Sequence, residues 1–155
     1  MRKNNRPGKV MVIHGPNLNM LGKREPDIYG TTTLEEVNRR LKNLGDGLNL
    51  EVETFQSNHE GRIVDKIQEA AGTCGTVIIN PAAYTHTSIA IRDALLATDM
   101  TVIEVHLSNI YKREAFRKKS MITDIAVGQI CGFGVQVYYL ALEAAAKILK
   151  CAISS

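Results

Sequence analysis

Apolar residues fall along this chain in two alternating rhythms. Short runs rich in β-branched residues at 10–14, 51–56, 76–79, 101–105 and 125–130 predict five strands, the second with less burial than the others. Between them the spacing becomes helical. Leu34, Val37, Leu41 and Leu44 recur on one face behind Thr33 as N-cap, and Gly45 and Gly47 are expected to end that helix. Ile63, Ile67 and Ala70 mark a second helix stopped near Gly72, and Thr87 or Ser88 opens a third through Ile91, Ala94 and Leu95. One short helix is expected at 113–118, and a long one closes the chain at 135–150. Strands alternating with helices imply a parallel sheet covered on both faces. With five strands, the expected class is α/β, a flavodoxin-like three-layer sandwich with a parallel sheet in the order 2-1-3-4-5.

At 155 residues, 45% hydrophobic and 23% charged, the chain is long enough for one full core and ordinary in composition. Residues 1–8 read as a disordered basic tail, ahead of a single catalytic domain at 9–155. Only a short apolar run follows the tail, so no signal peptide is expected, and no run reaches the ~18 residues of a membrane span. Cys74, Cys131 and Cys151 form no CxxC pair, which suggests reduced thiols and a cytoplasmic location. The net charge of +3 is too small to imply nucleic acid and suits a small anionic ligand.

In an open parallel sheet, ligands bind beyond the carboxyl ends of the strands, near the switch in strand order. The first strand ends in His14, then Asn17, then a Gly-bounded segment, Gly22-Lys-Arg24-Glu-Pro-Asp-Ile-Tyr29-Gly30, that reads as a lid. The third ends in Asn80, followed by Tyr84, Thr85 and His86; the fourth carries Glu104, His106 and Ser108 ahead of Arg113 and Arg117. Taken singly, each has a plain structural role: a rim tyrosine, a helix-capping histidine, asparagines that serve turns, a solvated basic face. Taken together, three neighbouring strands deliver amides, imidazoles and guanidiniums to one crevice.

Spacing sets several chemistries aside. No HxxxH, HxH or paired CxxC offers a metal site, and neither GxGxxG nor GxxxxGK[ST] is present to cradle a nucleotide phosphate. No serine sits in a nucleophile elbow, and no lysine ends a strand where it could be desolvated for Schiff-base work. What remains suits proton transfer. A free tyrosine is only about 0.1% ionised at pH 7. An arginine ~4 Å away contributes up to roughly 4 kcal/mol at an effective dielectric near 20, about three pKa units before desolvation opposes it. Arg24 or Arg113 could supply that charge to Tyr29. A histidine oriented or charged by Glu104 is then the natural acid for a departing hydroxyl, and asparagines could hold an enolate. The combination fits elimination of water next to a carbonyl. A flavodoxin-like module binding FMN or another nucleotide shares the fold and is the alternative; a nucleic-acid partner would rest on the tail and on 112–119.

The segments His14-Gly-Pro-Asn-Leu-Asn, Arg24-Glu-Pro-Asp-Ile-Tyr-Gly, Asn80-Pro-Ala-Ala-Tyr-Thr-His-Thr-Ser, Glu104-Val-His-Leu-Ser-Asn and Gly128-Gln-Ile-Cys-Gly-Phe-Gly together resemble the type II 3-dehydroquinate dehydratases. The likeness runs from about Val10 to Leu149. It implies that Tyr29 removes the C2 proton of 3-dehydroquinate, that Arg24 lowers its pKa and stabilises the transition state, and that His106, beside Glu104, protonates the leaving C1 hydroxyl. Asn17 would hold the water that steadies the enolate. Asn80, His86, Arg113, Arg117 and the backbone at Leu107 and Ser108 would bind substrate, with Asp93 reaching a neighbouring subunit. The implied reaction is anti elimination without metal or cofactor, in a dodecamer built from trimers, in the shikimate pathway or quinate catabolism, with no nucleic-acid or membrane partner. Ala82 stands where the family often has glycine, and Tyr111 where histidine is common; both bear on affinity and leave the catalytic groups in place.

Overall fold

Five parallel strands, β1 (Gly8–His14), β2 (Leu50–Gln56), β3 (Thr76–Asn80), β4 (Thr101–His106) and β5 (Gly128–Cys131), lie in the order β2-β1-β3-β4-β5. This is the flavodoxin-like order expected. The computed structural model describes residues 8–23 and 26–154, and side chains within them except those of Ile28, Tyr29 and residues 151–154. Arg24 and the side chain of Tyr29 therefore lie outside the described residues, as do residues 1–7.

The central strands are apolar on both faces because both faces are covered. Val10 and Val12 of β1, Ile78 of β3 and Ile103 and Val105 of β4 pack with helices α2 (Leu34–Gly47) and α5 (Gln136–Ser154). Their neighbours Met11, Ile13, Val77, Ile79 and Val102 pack on the other side with α3 (Glu60–Ala70) and α4 (Ile89–Leu96). Thr33 caps α2, its Oγ1 accepting from the Glu36 N–H at 3.3 Å, and Ser88 caps α4, accepting from Ile91 N–H at 2.9 Å.

Three local expectations are corrected. Gly45 does not end α2 but lies inside it, because the helix packs so closely on β2 that a Cβ there would stand 2.6 Å from Val52 Cγ2 and 3.0 Å from Leu50 O. The helix ends at Gly47, the other glycine expected there, and the chain turns after Leu48, with Asn49 at φ 57°. The fifth strand begins at Gly128, later than its β-branched start suggested: Ile125 and Ala126 N–H both bond back to Ile122 O, and the first bond to β4 is that of Val127 N–H to Val102 O. In place of one helix at 113–118 there are two single 3₁₀ turns, Ile110–Lys112 and Ala115–Arg117. The proposed lid segment contains one helical turn, α1 (Pro26–Tyr29), closed by Gly30 N–H on Pro26 O at 2.8 Å.

Period-two alternation also decides where the polar strand ends point. His14 and Asn80 are register partners and share the parity of Val12 and Ile78, so they turn toward α2 and α5. Glu104 and His106 share the parity of Val102 and turn the other way. His14, fully buried, is held by Asn38 of α2 and Tyr138 of α5, each at 2.8 Å, and ties the β1 tip to both helices. Burial pushes its pKa down to about 4, against the lesser upward pull of the Asn38 bond. The fold thus holds this imidazole neutral while the unfolded chain protonates near pH 6.5. Stability present above pH 6.5 is therefore lost as the pH falls toward 4, by about 3 kcal/mol over the window. Urea unfolding as a function of pH checks this: His14→Gln should flatten the dependence between pH 6.5 and 4 by about one proton. An unchanged slope would place the acid sensitivity elsewhere.

Candidate active site

The tips of β1, β3 and β4 surround a cleft of about 370 Å³. At its β1 edge the chain passes so near β3 that only glycine fits. A Cβ on Gly15 would stand 2.4 Å from Pro81 O, and Gly15 N–H bonds to Asn80 O at 2.8 Å. Beyond it Asn17 takes a left-handed conformation (φ 70°) that asparagine tolerates, and its backbone N–H donates to Asn58 Oδ1 at 3.0 Å. Asn17 serves the turn and also lines the cleft. From β3 come Asn80 and His86. His86 Nδ1–H donates to the Lys119 carbonyl at 2.7 Å, which fixes the ring and leaves Nε2 as its second hydrogen-bonding atom at the cleft. Ser88, rather than His86, caps the helix that follows.

From β4 comes the most ordered group. His106 lines the cleft, and its Nε2 stands 2.5 Å from Glu104 Oε2. Glu104 is fully buried beneath it, where an unpaired carboxylate would be very costly. Four side chains satisfy it: Oε2 accepts from His106, Ser120 Oγ (2.9 Å) and Gln129 Nε2 (3.1 Å), and Oε1 from Thr123 Oγ1 (2.8 Å). Burial pushes the Glu104 pKa up. The bond and charge of His106, with Thr123 and Ser120, more than offset that and hold it below the ordinary carboxylate value. Glu104 is thus an anion that accepts from His106 Nε2–H and fixes the ring, so any proton His106 exchanges at the cleft passes through Nδ1. Cys131, the register partner of His106, is held inert, its thiol pushed up to about 11 by burial and by the Glu104 charge.

The cleft's positive wall is the segment after β4. Leu107 and Ser108 line it, with Arg113 and Arg117. Glu114 lies between the two guanidiniums, 2.9 Å from Arg117 Nε and 3.7 Å from Arg113 Nε. An anion entering here meets two arginines whose spacing one carboxylate already spans.

The structure thus brings Asn17, Asn80, His86, His106, Leu107, Ser108, Arg113 and Arg117 to one cleft, with Glu104 directly below. Asp93 does not reach it; it stands exposed on α4. Sequence reasoning missed Ser120, Thr123 and Gln129, whose one signal was that a carboxylate in an apolar strand must find partners. Tyr111, the departure from the family pattern, joins the same group by donating from Oη to Gln129 Oε1 at 3.3 Å. Ala82 lies at φ 52°, where glycine is unstrained.

Comparison with known proteins agrees with this geometry. The family model described as dehydroquinase class II matches residues 8–146. A 3-dehydroquinate dehydratase of Geotalea daltonii is 58% identical over 142 residues, covering 92% of this chain and 99% of that protein. A catabolic 3-dehydroquinase of Verticillium alfalfae is 51% identical, covering 92% of this chain and 95% of that one. The crystal structure of a type II dehydroquinase from Propionibacterium acnes superposes with a TM-score of 0.86 at 45% identity, covering 90% of this chain and 96% of its own. The fold, the cleft and these relatives lead to one conclusion: this chain belongs to the class II dehydroquinases.

Proposed function

We propose that the chain is a hydro-lyase that converts 3-dehydroquinate to 3-dehydroshikimate by anti elimination of water. The observation that carries the reading is the buried Glu104–His106 pair at the edge of a cleft that Arg113 and Arg117 also line. That arrangement supports a proton donor acting beside a binding site for a carboxylate, as a small hydroxy acid requires.

In this mechanism Tyr29, as phenolate, takes the proton from C2. The electron pair left behind forms an enolate with the neighbouring carbonyl. Asn17, through a held water, supports the charge on the enolate oxygen. Collapse of the enolate breaks the C1–O bond while His106 gives its Nδ1 proton to the leaving hydroxyl, so that water departs. Tyr29 is then protonated and His106 neutral; exchange with solvent returns both to their starting forms. Glu104 orients the His106 ring through Nε2, and Arg24 lowers the Tyr29 pKa once the lid closes over substrate. Asn80 and His86 bind substrate oxygens, Arg113 and Arg117 bind its negative end, and the backbone at Leu107 and Ser108 receives the carboxylate. The same elimination serves aromatic biosynthesis and quinate breakdown, and the reading places the enzyme in the cytoplasm.

The reading also makes the working enzyme a dodecamer built from trimers, with Asp93 completing a neighbour's site. Support comes from α4, where Ile89 and Leu96 flank Asp93 at helical spacing and are 60% and 56% exposed. A helix face with two large apolar residues around one carboxylate suits contact with another copy. Among the described residues no helix is long and apolar enough to cross a membrane, so a bilayer-spanning helix does not account for that face.

Two outcomes are expected. Tyr29→Phe should lower kcat by about 10²–10⁴-fold, followed by the ultraviolet absorbance of the enone product, with the circular dichroism spectrum unchanged. Full activity would remove Tyr29 as the base. Ile89→Glu with Leu96→Glu should reduce the sedimentation mass from twelve chains to a smaller species and lower activity with it. An unaltered twelve-chain mass would show that this helix face does not hold the assembly.

A further inference from the structure

Among the buried polar side chains that the mechanism leaves unused are His14 and Tyr138, both 0% exposed. They belong to a chain of hydrogen bonds that crosses the fold from α2 to the cleft. Asn38 Oδ1 lies 2.8 Å from His14 Nε2, and His14 Nδ1 lies 2.8 Å from Tyr138 Oη. Asn80 Nδ2 donates to Tyr138 Oη at 3.2 Å, and Ala82 N–H donates to Asn80 Oδ1 at 3.1 Å.

The direction of every bond in this chain follows from its ends. An amide oxygen only accepts, so His14 Nε2 carries the proton that Asn38 Oδ1 receives. Tyr138 Oη receives the Asn80 N–H, and its own proton has one acceptor in reach, His14 Nδ1. That imidazole is therefore the neutral Nε2–H tautomer. At the other end the Ala82 N–H occupies Asn80 Oδ1, so the amide cannot turn over. A flip would set the Asn80 NH₂ against the Ala82 N–H and leave Tyr138 Oη facing an oxygen it has no spare proton to meet. One Nδ2 proton of Asn80 remains for the cleft that this residue lines.

We propose that Tyr138 and His14 are positioning residues that fix Asn80 with its N–H toward the substrate, so that this point of the site accepts only an oxygen that can receive a hydrogen bond. The inference rests on the reading of Asn80 as a substrate-binding group. It also accounts for the backbone at Ala82, where a residue with a side chain is held at φ 52° by a bond to the same amide.

A double-mutant cycle on the full-length enzyme tests it, with steady-state kinetics on 3-dehydroquinate and thermal melts to show that each variant is folded. Asn80→Ala should lower kcat/KM; if it does not, the binding role of Asn80 fails, and that failure is visible in this variant alone. Tyr138→Phe should lower kcat/KM by about tenfold, chiefly through KM, since one orienting hydrogen bond is lost. In the Asn80→Ala background the same Tyr138→Phe change should have no further effect. A merely structural role for Tyr138 predicts the same factor in both backgrounds, and that result, or an unaltered kcat/KM in Tyr138→Phe, would overturn the proposal. Should Tyr138→Phe fail to fold, Asn38→Ala at the half-buried far end of the chain replaces it. It should give a drop of about two- to fourfold that again vanishes without the Asn80 amide. Equal drops with and without that amide overturn the proposal in this arm too.

Discussion

A parallel sheet buried on both faces makes a strongly polar side chain toward the carboxyl ends of its central strands costly unless the fold itself satisfies it, and this chain places four there. His14, Asn80, Glu104 and His106 are each at most 5% exposed. Water cannot complete their hydrogen bonds, so other elements must. Alternation sends one pair to each face, and two separate networks result. Asn38, His14, Tyr138 and Asn80 link α2, β1, α5 and β3. Glu104, His106, Ser120, Thr123 and Gln129 link β4 and β5 to the segment between them.

The two networks make the cleft a rigid object. The β4 side presents an imidazole whose far nitrogen is committed to an anion, and the β3 side presents an amide that cannot turn over. Between them the chain crossing at Gly15 and Pro81 brings β1 and β3 within backbone contact. The parts of the site outside this frame differ in kind. In the proposed mechanism the lid and Asp93, on the surface of a helix, would both act by arriving at a site already built.

Much of this was legible in the sequence because it is periodic or local. Strand order followed from the number of strands and their alternation with helices, and the strand-end rule selected His106, Asn80, His86 and the arginines as one group. What was not legible depends on close approach in three dimensions. Gly45 reads as a helix stop, yet it is a contact glycine against Val52, a fact held by the packing distance and by no local pattern. Tyr138 reads as one more apolar position of a long helix, since its hydroxyl finds partners 58 and 124 residues away. Ser120 and Thr123 sit in a polar stretch and Gln129 in β5, and they acquire a role only because a buried carboxylate lies beside them. The late start of β5 has the same origin, for it is set by where the chain can first reach β4.

The central claim is that one base on the lid and one acid at the β4 tip act from opposite faces of the substrate. Turnover of 3-dehydroquinate stereospecifically deuterated at C2 tests it most directly. If Tyr29 and His106 act as described, the deuterium trans to the C1 hydroxyl is lost to solvent, and the isomer labelled at the cis position keeps its label in the enone. Loss of the cis deuterium with retention of the trans one would show syn elimination and contradict the account.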